Sequence, residues 1–185
     1  RLAEEGSYKE NKKNGIWITY FSNGQVSYKA SFKKGIEDGP FHSYDSIDGR
    51  LLWRGHYKAG RRDGLWEYFY KNGKLEIRDL YKKGRRDGIG ELYYMNGKLR
   101  SRGQYTNGRK NGLYETFHSN GILKSTGFYL KGKKEDGLWK IYGRDGKLSS
   151  KGLYKDGEKY GVWEYYDNGG EWIRERKYRN GIEIN

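Results

Sequence analysis

Cysteine is absent from the chain. That excludes a disulfide framework and any thiolate metal site. Histidine is scarce: His42, His56 and His118 occupy three different repeat positions, and none has metal-ligand spacing with another His, Asp or Glu. No apolar run approaches the length of about 20 residues that a membrane-spanning helix needs. No Walker or G-x-G-x-x-G pattern opens a helix, so the glycines do not read as a phosphate loop. The sequence therefore predicts no catalytic residue, no metal and no cofactor. It reads as soluble, with the cytoplasm favoured. Export after removal of a leader stays open, because the chain begins at Arg1.

The chain has aromatics and positive charge instead. Only 34% of its 185 residues are hydrophobic and 34% are charged, a balance typical of disorder. Yet 17% are aromatic, and disordered chains are poor in rings. The balance fits a folded protein with a thin core of amphipathic rings. The net charge of +14 favours acidic partners: nucleic acid, an anionic membrane surface or an acidic protein.

Glycine is abundant and periodic. One column comprises Gly15, Gly39, Gly64, Gly88, Gly112, Gly137 and Gly161. A second comprises Gly24, Gly49, Gly73, Gly97, Gly121, Gly146 and Gly170. A third follows 11 residues after the second, from Gly35 to Gly181. This predicts seven units on residues 1–185, each starting at a first-column glycine, with residues 1–14 as a partial unit. The chain reads as one repeat domain. Segments between glycines are short and rich in Tyr, Trp, Phe and Leu, which predicts strands. Asn-Gly and Asp-Gly mark the turns. The fold class expected is all-β: an elongated single-layer antiparallel β-meander of about seven hairpins. About 14 strands at roughly 4.8 Å each would extend on the order of 60 Å. Pro40 falls at a strand start, where a missing N–H is tolerable.

A three-residue loop with a glycine bulge pairs Tyr70 with Lys74 and Phe69 with Leu75. Strict alternation from there predicts a buried face carrying Ile16, Leu65, Ile89, Leu113, Leu138 and Val162. That face also carries the tyrosine column from Tyr57 to Tyr178, together with Gly55, Gly103, Gly127 and Gly152, which leave room for flat rings. The opposite face would set Trp66 against Arg78, Trp17 against Lys29 and Trp139 against Lys151, as exposed cation–π pairs of roughly 0.5–1 kcal/mol each.

Glu67, Glu91, Glu115 and Glu164 recur at one position. Paired carboxylates at about 9.5 Å suit inverting glycoside hydrolysis. A repeated scaffold column explains them better. The third turn is followed by Arg61-Arg62, Arg85-Arg86, Arg109-Lys110 and Lys133-Lys134 in four consecutive units. This predicts a basic ridge that contacts a partner, with Trp66 and Trp139 as a second candidate surface. The alternative is a charged edge that resists aggregation.

The stretches "DGLWEYFYKNGKL", "YKKGRRDG" and "YGVWEYYDNGGEW" resemble the MORN repeat, in the bacterial variant of YwqK-family antitoxins. Gly90 and Phe41 depart from the pattern in place of Trp, Asn11 in place of Gly, and Trp172 in place of Leu. The resemblance implies a single-layer sheet of hairpins, protein–protein contact, dimerisation in some members, and neutralisation of a cognate toxin in the bacterial variant. It also implies anionic-lipid binding in some members. The function expected is thus a non-enzymatic interaction scaffold for an acidic protein, with an antitoxin as the sharper form. An anionic-lipid binder comes second and a nucleic-acid binder third. Edge-to-edge homo-oligomers are a further partner class. Because nuclease toxins are often basic, a toxin bound by this chain should carry an acidic face.

Overall fold

A tight turn sits at each glycine of the second and third columns. At Gly73 (φ 77°) the amide donates to the Tyr70 carbonyl at 2.9 Å, and the Tyr70 amide donates to the Lys74 carbonyl at 2.8 Å. Asn72 accepts from the Lys74 amide with its side-chain oxygen, at 3.1 Å. This is the expected three-residue loop, and Phe69 pairs with Leu75 as read from the sequence. The third glycine closes a two-residue turn whose first residue also has positive φ, as Lys83 (51°) and Gly84 (85°) do. That is the turn whose twist matches paired strands.

The computed structural model describes residues 3–134 and 137–184, the side chain of Lys134 excepted. Two compact units divide the chain, Arg1–Gly88 and Ile89–Asn185. The first holds β1 (Glu4–Lys9), β2 (Lys12–Tyr20), β3 (Val26–Lys33), β4 (Ile36–Tyr44), β5 (Leu51–Lys58), β6 (Arg61–Arg62), β7 (Gly64–Phe69) and β8 (Leu75–Lys82). After β9 (Arg85–Tyr93), the second holds β10 (Leu99–Thr106), β11 (Arg109–Phe117), β12 (Leu123–Leu130), β13 (Lys133–Lys134) and β14 (Gly137–Tyr142). It continues with β15 (Leu148–Lys155), β16 (Glu158–Tyr166), β17 (Trp172–Arg179) and β18 (Ile182–Ile184). In each unit the strands form an antiparallel meander, in which β5 pairs with both β6 and β7 and β12 with both β13 and β14. The fold class is all-β. Among the described residues there is no helix, and so none long and apolar enough to cross a membrane.

Two irregularities recur in each repeat and decide what faces what. After the three-residue loop the returning strand carries one extra residue. Phe69 pairs with Leu75 but Tyr68 pairs with Ile77, leaving Glu76 unpaired. Near the first glycine column, one strand carries two extra residues. Gly103 pairs with Tyr114, whereas Tyr105 pairs with Lys110. Bulges of this kind bend a strand and increase its twist.

The single-residue bulge corrects the face assignment. It advances the returning strand by one residue, and a one-residue slip sends every side chain to the other face. Trp66 therefore pairs with Asp79 rather than Arg78, Trp17 with Ala30 rather than Lys29, and Trp139 with Gly152 rather than Lys151. The aliphatic column expected to be buried is exposed: Ile16 at 67%, Leu65 at 44% and Leu138 at 48%, with Ile89, Leu113 and Val162 similar. Buried instead are Trp17, Trp66, Trp139 and Trp163, all at 4% or less. The tyrosine and glycine columns do share a face, as expected, but the indoles share it with them.

The core is a chain of rings lying on glycines. A Cβ on Gly55 would stand 2.2 Å from the Trp66 ring, on Gly127 2.1 Å from Trp139, and on Gly152 2.4 Å from Trp163. Each indole lies flat on bare backbone. In the second unit, rings then meet edge to face in succession: Tyr114–Tyr129 at 5.1 Å, Tyr129–Trp139 at 5.5 Å, Trp139–Tyr154 at 5.7 Å and Tyr154–Trp163 at 5.3 Å between centroids. Each such contact contributes about 0.5–1.5 kcal/mol beyond area burial. Three indole N–H groups donate to the backbone beside the two-residue bulge: Trp17 to Ser7, Trp66 to His56 and Trp163 to Leu153, at 3.2, 3.1 and 2.9 Å. The bulge breaks the ladder, and the indole satisfies a carbonyl next to the break.

Candidate functional site: a basic and aliphatic outer face

The turn between β5 and β6 sends its two arginines to opposite faces, because successive strand residues alternate. Arg62 lies on the ring face. Its guanidinium is 4.3 Å from the Trp66 ring centroid, and its Nη1 donates to the Tyr68 hydroxyl at 2.6 Å. Burial pushes the Tyr68 phenol up to about 12, so it stays a neutral acceptor there. Lys110 lies 3.6 Å from the centroid of Tyr114, Lys13 4.0 Å from Trp17, and Lys159 4.3 Å from Trp163. In each case the cation precedes the ring by four residues. That constant spacing is a signal the sequence carried, and the sequence reading missed it.

This divides the predicted ridge. Arg62, Arg86 and Lys110 are half-buried on the ring face, whereas Arg61, Arg85, Arg109 and Lys133 are exposed on the other. The Lys134 side chain lies outside the described residues. Trp66 and Trp139 are core residues over glycine and do not form the exposed second surface expected of them.

Arg86 has its own role. Gly90 stands where other repeats have a ring, and Asp79 stands where they have Gly or Ala, or Arg176 in the last. Asp79 is 2% exposed, and Arg86 Nη2 reaches its Oδ2 at 2.8 Å. Burial raises the Asp79 pKa despite Arg86.

On the outer face, the recurrent glutamates pair across strands. Glu67 takes Arg54 on one oxygen and Arg78 on the other, at 2.6 and 3.0 Å. Burial works against its ionisation, but the two guanidiniums outweigh it and hold the carboxyl below its usual range. Glu115 takes Arg102 at 2.8 Å and Glu164 takes Lys151 at 3.1 Å. This is the scaffold column. Cations engage Glu67, Glu115 and Glu164, Glu91 accepts the Tyr93 hydroxyl at 2.7 Å, and Glu67 is nearly buried.

The remainder of that face is aliphatic and basic. Leu65 pairs with Leu80, Leu113 with Phe128 and Leu138 with Leu153, all of them exposed. Arg61, Arg85, Arg109 and Lys133 stand nearer the turns, and none of them makes an ion pair among the described residues. In the first unit, Lys58, Ala59, Arg61, Asp63, Gly64, Leu80, Tyr81, Lys82, Lys83 and Asp87 line an open hollow of about 800 Å³. Asp63 is engaged there, since its carboxylate accepts the Lys83 amide at 3.2 Å. Chemically, this surface can accept a carboxylate-bearing, partly apolar chain.

The profile of the MORN repeat variant matches residues 13–34, 62–83, 86–107, 110–131 and 135–156, more than half of the chain. The chain is a MORN-repeat protein. A comparison with curated proteins found no match. Among solved structures, a mutant of S. aureus TarM in complex with fondaparinux, alpha-GlcNAc-glycerol and UDP aligns at 12% identity with a TM-score of 0.35. The alignment covers 52% of this MORN-repeat chain and 19% of that one, so it spans about a fifth of the TarM chain.

Proposed function

We infer that this MORN-repeat protein is a non-catalytic scaffold that binds an acidic partner protein through its outer face. One observation carries the reading. In each unit, exposed aliphatic side chains stand beside cations that make no ion pair within the described residues, Arg61 and Arg85 in the first and Arg109 and Lys133 in the second. A charged edge serving solubility alone has no use for exposed leucines at its foot. The resemblance to YwqK-type antitoxins supports a sharper form, in which the partner is a toxin with an acidic binding face, neutralised by occlusion. Stacking of nucleic-acid bases has less support. Trp17, Trp66, Trp139 and Trp163 are buried, and cations cover three of these indoles.

The test is purification of the tagged chain with its partner, identification of that partner, and association kinetics at two salt concentrations. Arg61→Glu, Arg85→Glu, Arg109→Glu and Lys133→Glu together should slow association at least tenfold at low salt and less at high salt. An unchanged rate at low salt would overturn the reading. Sedimentation of the chain with phosphatidylserine vesicles, without any protein partner, would replace it with a lipid surface. For the sharper form, co-expression with the partner should relieve growth arrest that the partner causes alone.

A further inference from the structure

Equivalent positions in successive repeats lie two strands apart, about 9.5 Å. On the outer face of the first unit two such rungs adjoin. Lys58 and Arg61 pair across one turn, and Lys82 and Arg85 flank the next. Leu65 and Leu80 pair further along the strands, and Leu80 lines the hollow together with Lys58, Arg61 and Lys82. The rungs are held together, since the Gly84 amide donates to the Arg62 carbonyl at 2.8 Å.

A ligand crossing these rungs must repeat its chemistry about every 9.5 Å. An extended strand repeats its facing side chains every second residue, at about 6.7 Å, and falls out of step. An α-helix rises about 5.4 Å per turn and matches only at every second turn. A polyproline II helix has three residues per turn and rises about 3.1 Å per residue, so residues three apart share an edge at about 9.3 Å. Its pitch matches the rungs.

We propose that the outer-face hollow over Leu80 binds an acidic polyproline II segment of the partner, lying across the strands with a three-residue period. One edge of the segment sets an aliphatic side chain onto the Leu65–Leu80 pair, which forms a single rung. A second edge carries carboxylates toward the paired cations at the turns. The third edge faces solvent. The positive rim selects carboxylates, and the absence of backbone hydrogen bonding in polyproline II suits a sheet face, which offers no strand edge to pair with. The proposal rests on the reading of the outer face as a surface for an acidic protein.

The experiment uses the full chain and blocked synthetic peptides, followed by fluorescence anisotropy at two salt concentrations. The probe peptide is Leu-Glu-Pro repeated three times. The control has the same nine residues, reordered so that its glutamates are two apart. The expected result is at least tenfold tighter binding of the period-three peptide, lost in Arg61→Glu/Arg85→Glu and weakened by salt. Arg61→Gln/Arg85→Gln serves as a second variant if the charge reversal alters the melting temperature. Equal binding of both peptides, lost in the same variants, overturns the polyproline II segment and leaves the acidic-partner reading standing. No binding of either peptide overturns the segment. If an identified partner then also associates at an unchanged rate with the charge-reversed chain, the broader reading falls with it.

Discussion

The indole of Trp139 lies so close over Gly127 that a Cβ added there would stand 2.1 Å from its ring. Ring and glycine form one unit of packing, and the same unit recurs at Trp17 over Gly6, Trp66 over Gly55 and Trp163 over Gly152. Where the ring is the smaller Phe41, the paired residue is Ala30.

Gly127→Ala should therefore lose at least about 3 kcal/mol, because overpacking against a buried ring typically costs 1–3 kcal/mol and this contact is closer than any real Cβ makes. Gly127→Ala in a Trp139→Ala background is the control, because the three atoms nearest the added methyl all belong to that ring, and a further change within about 0.5 kcal/mol is expected there. Urea midpoints of the single and double variants check this. An equal loss in both backgrounds would mean that the cost comes from strand backbone and not from the ring.

Trp66→Ala should cost about 3–5 kcal/mol, the range for truncating a fully buried aromatic. Trp172→Ala removes a ring that is 59% exposed and should cost less than about 1 kcal/mol. Thermal melts of both would reveal a misassigned face by inverting that order.

Arg62→Met should cost about 1–2 kcal/mol, through loss of the contact with Trp66 and the hydrogen bond to Tyr68. Arg61→Met should leave stability within about 0.5 kcal/mol and weaken partner binding instead. The two side chains are sequence neighbours, so a stability loss at Arg61 matching that at Arg62 would refute the split of the ridge between faces.

The two buried carboxylates of the first unit, Glu67 and Asp79, should respond to acid with opposite signs. The folded-state pKa of Glu67 is depressed, so its stabilisation is present at neutral pH and lost as pH falls through that value. Glu67→Gln should cost about 2 kcal/mol at pH 7, and the gap to wild type should narrow as pH falls below the ordinary glutamate value and through the lower folded one. The folded-state pKa of Asp79 is raised, so its favourable contribution is complete below the unfolded value and is lost as pH rises through the folded one. Relative to Asp79→Asn, wild type should gain stability on acidification from pH 7 to pH 4. Urea midpoints across this range read both, and a gap that moves the other way for either residue contradicts its assignment.

Much of the architecture was legible in the chain. Two of the three glycine columns mark the turns because positive φ is cheap at glycine, and the short aromatic segments between them are too brief for helices. The three-residue loop was legible down to the pairing of Phe69 with Leu75. The small-to-large complement was legible too, had the columns been compared: Gly with Trp, Ala with Phe, and Asp79 in a repeat whose ring position is Gly90. The faces were not. They depend on Glu76 and its counterparts standing outside the ladder, and no residue type marks a one-residue bulge. Side-chain period in a strand is two, so a single extra residue exchanges core and surface over the whole returning strand. Turn chemistry is local and is written in the sequence. Which face is buried is decided by packing, where large indoles find bare glycine backbone and the leucines, fitting no such bed, are left to the outer surface.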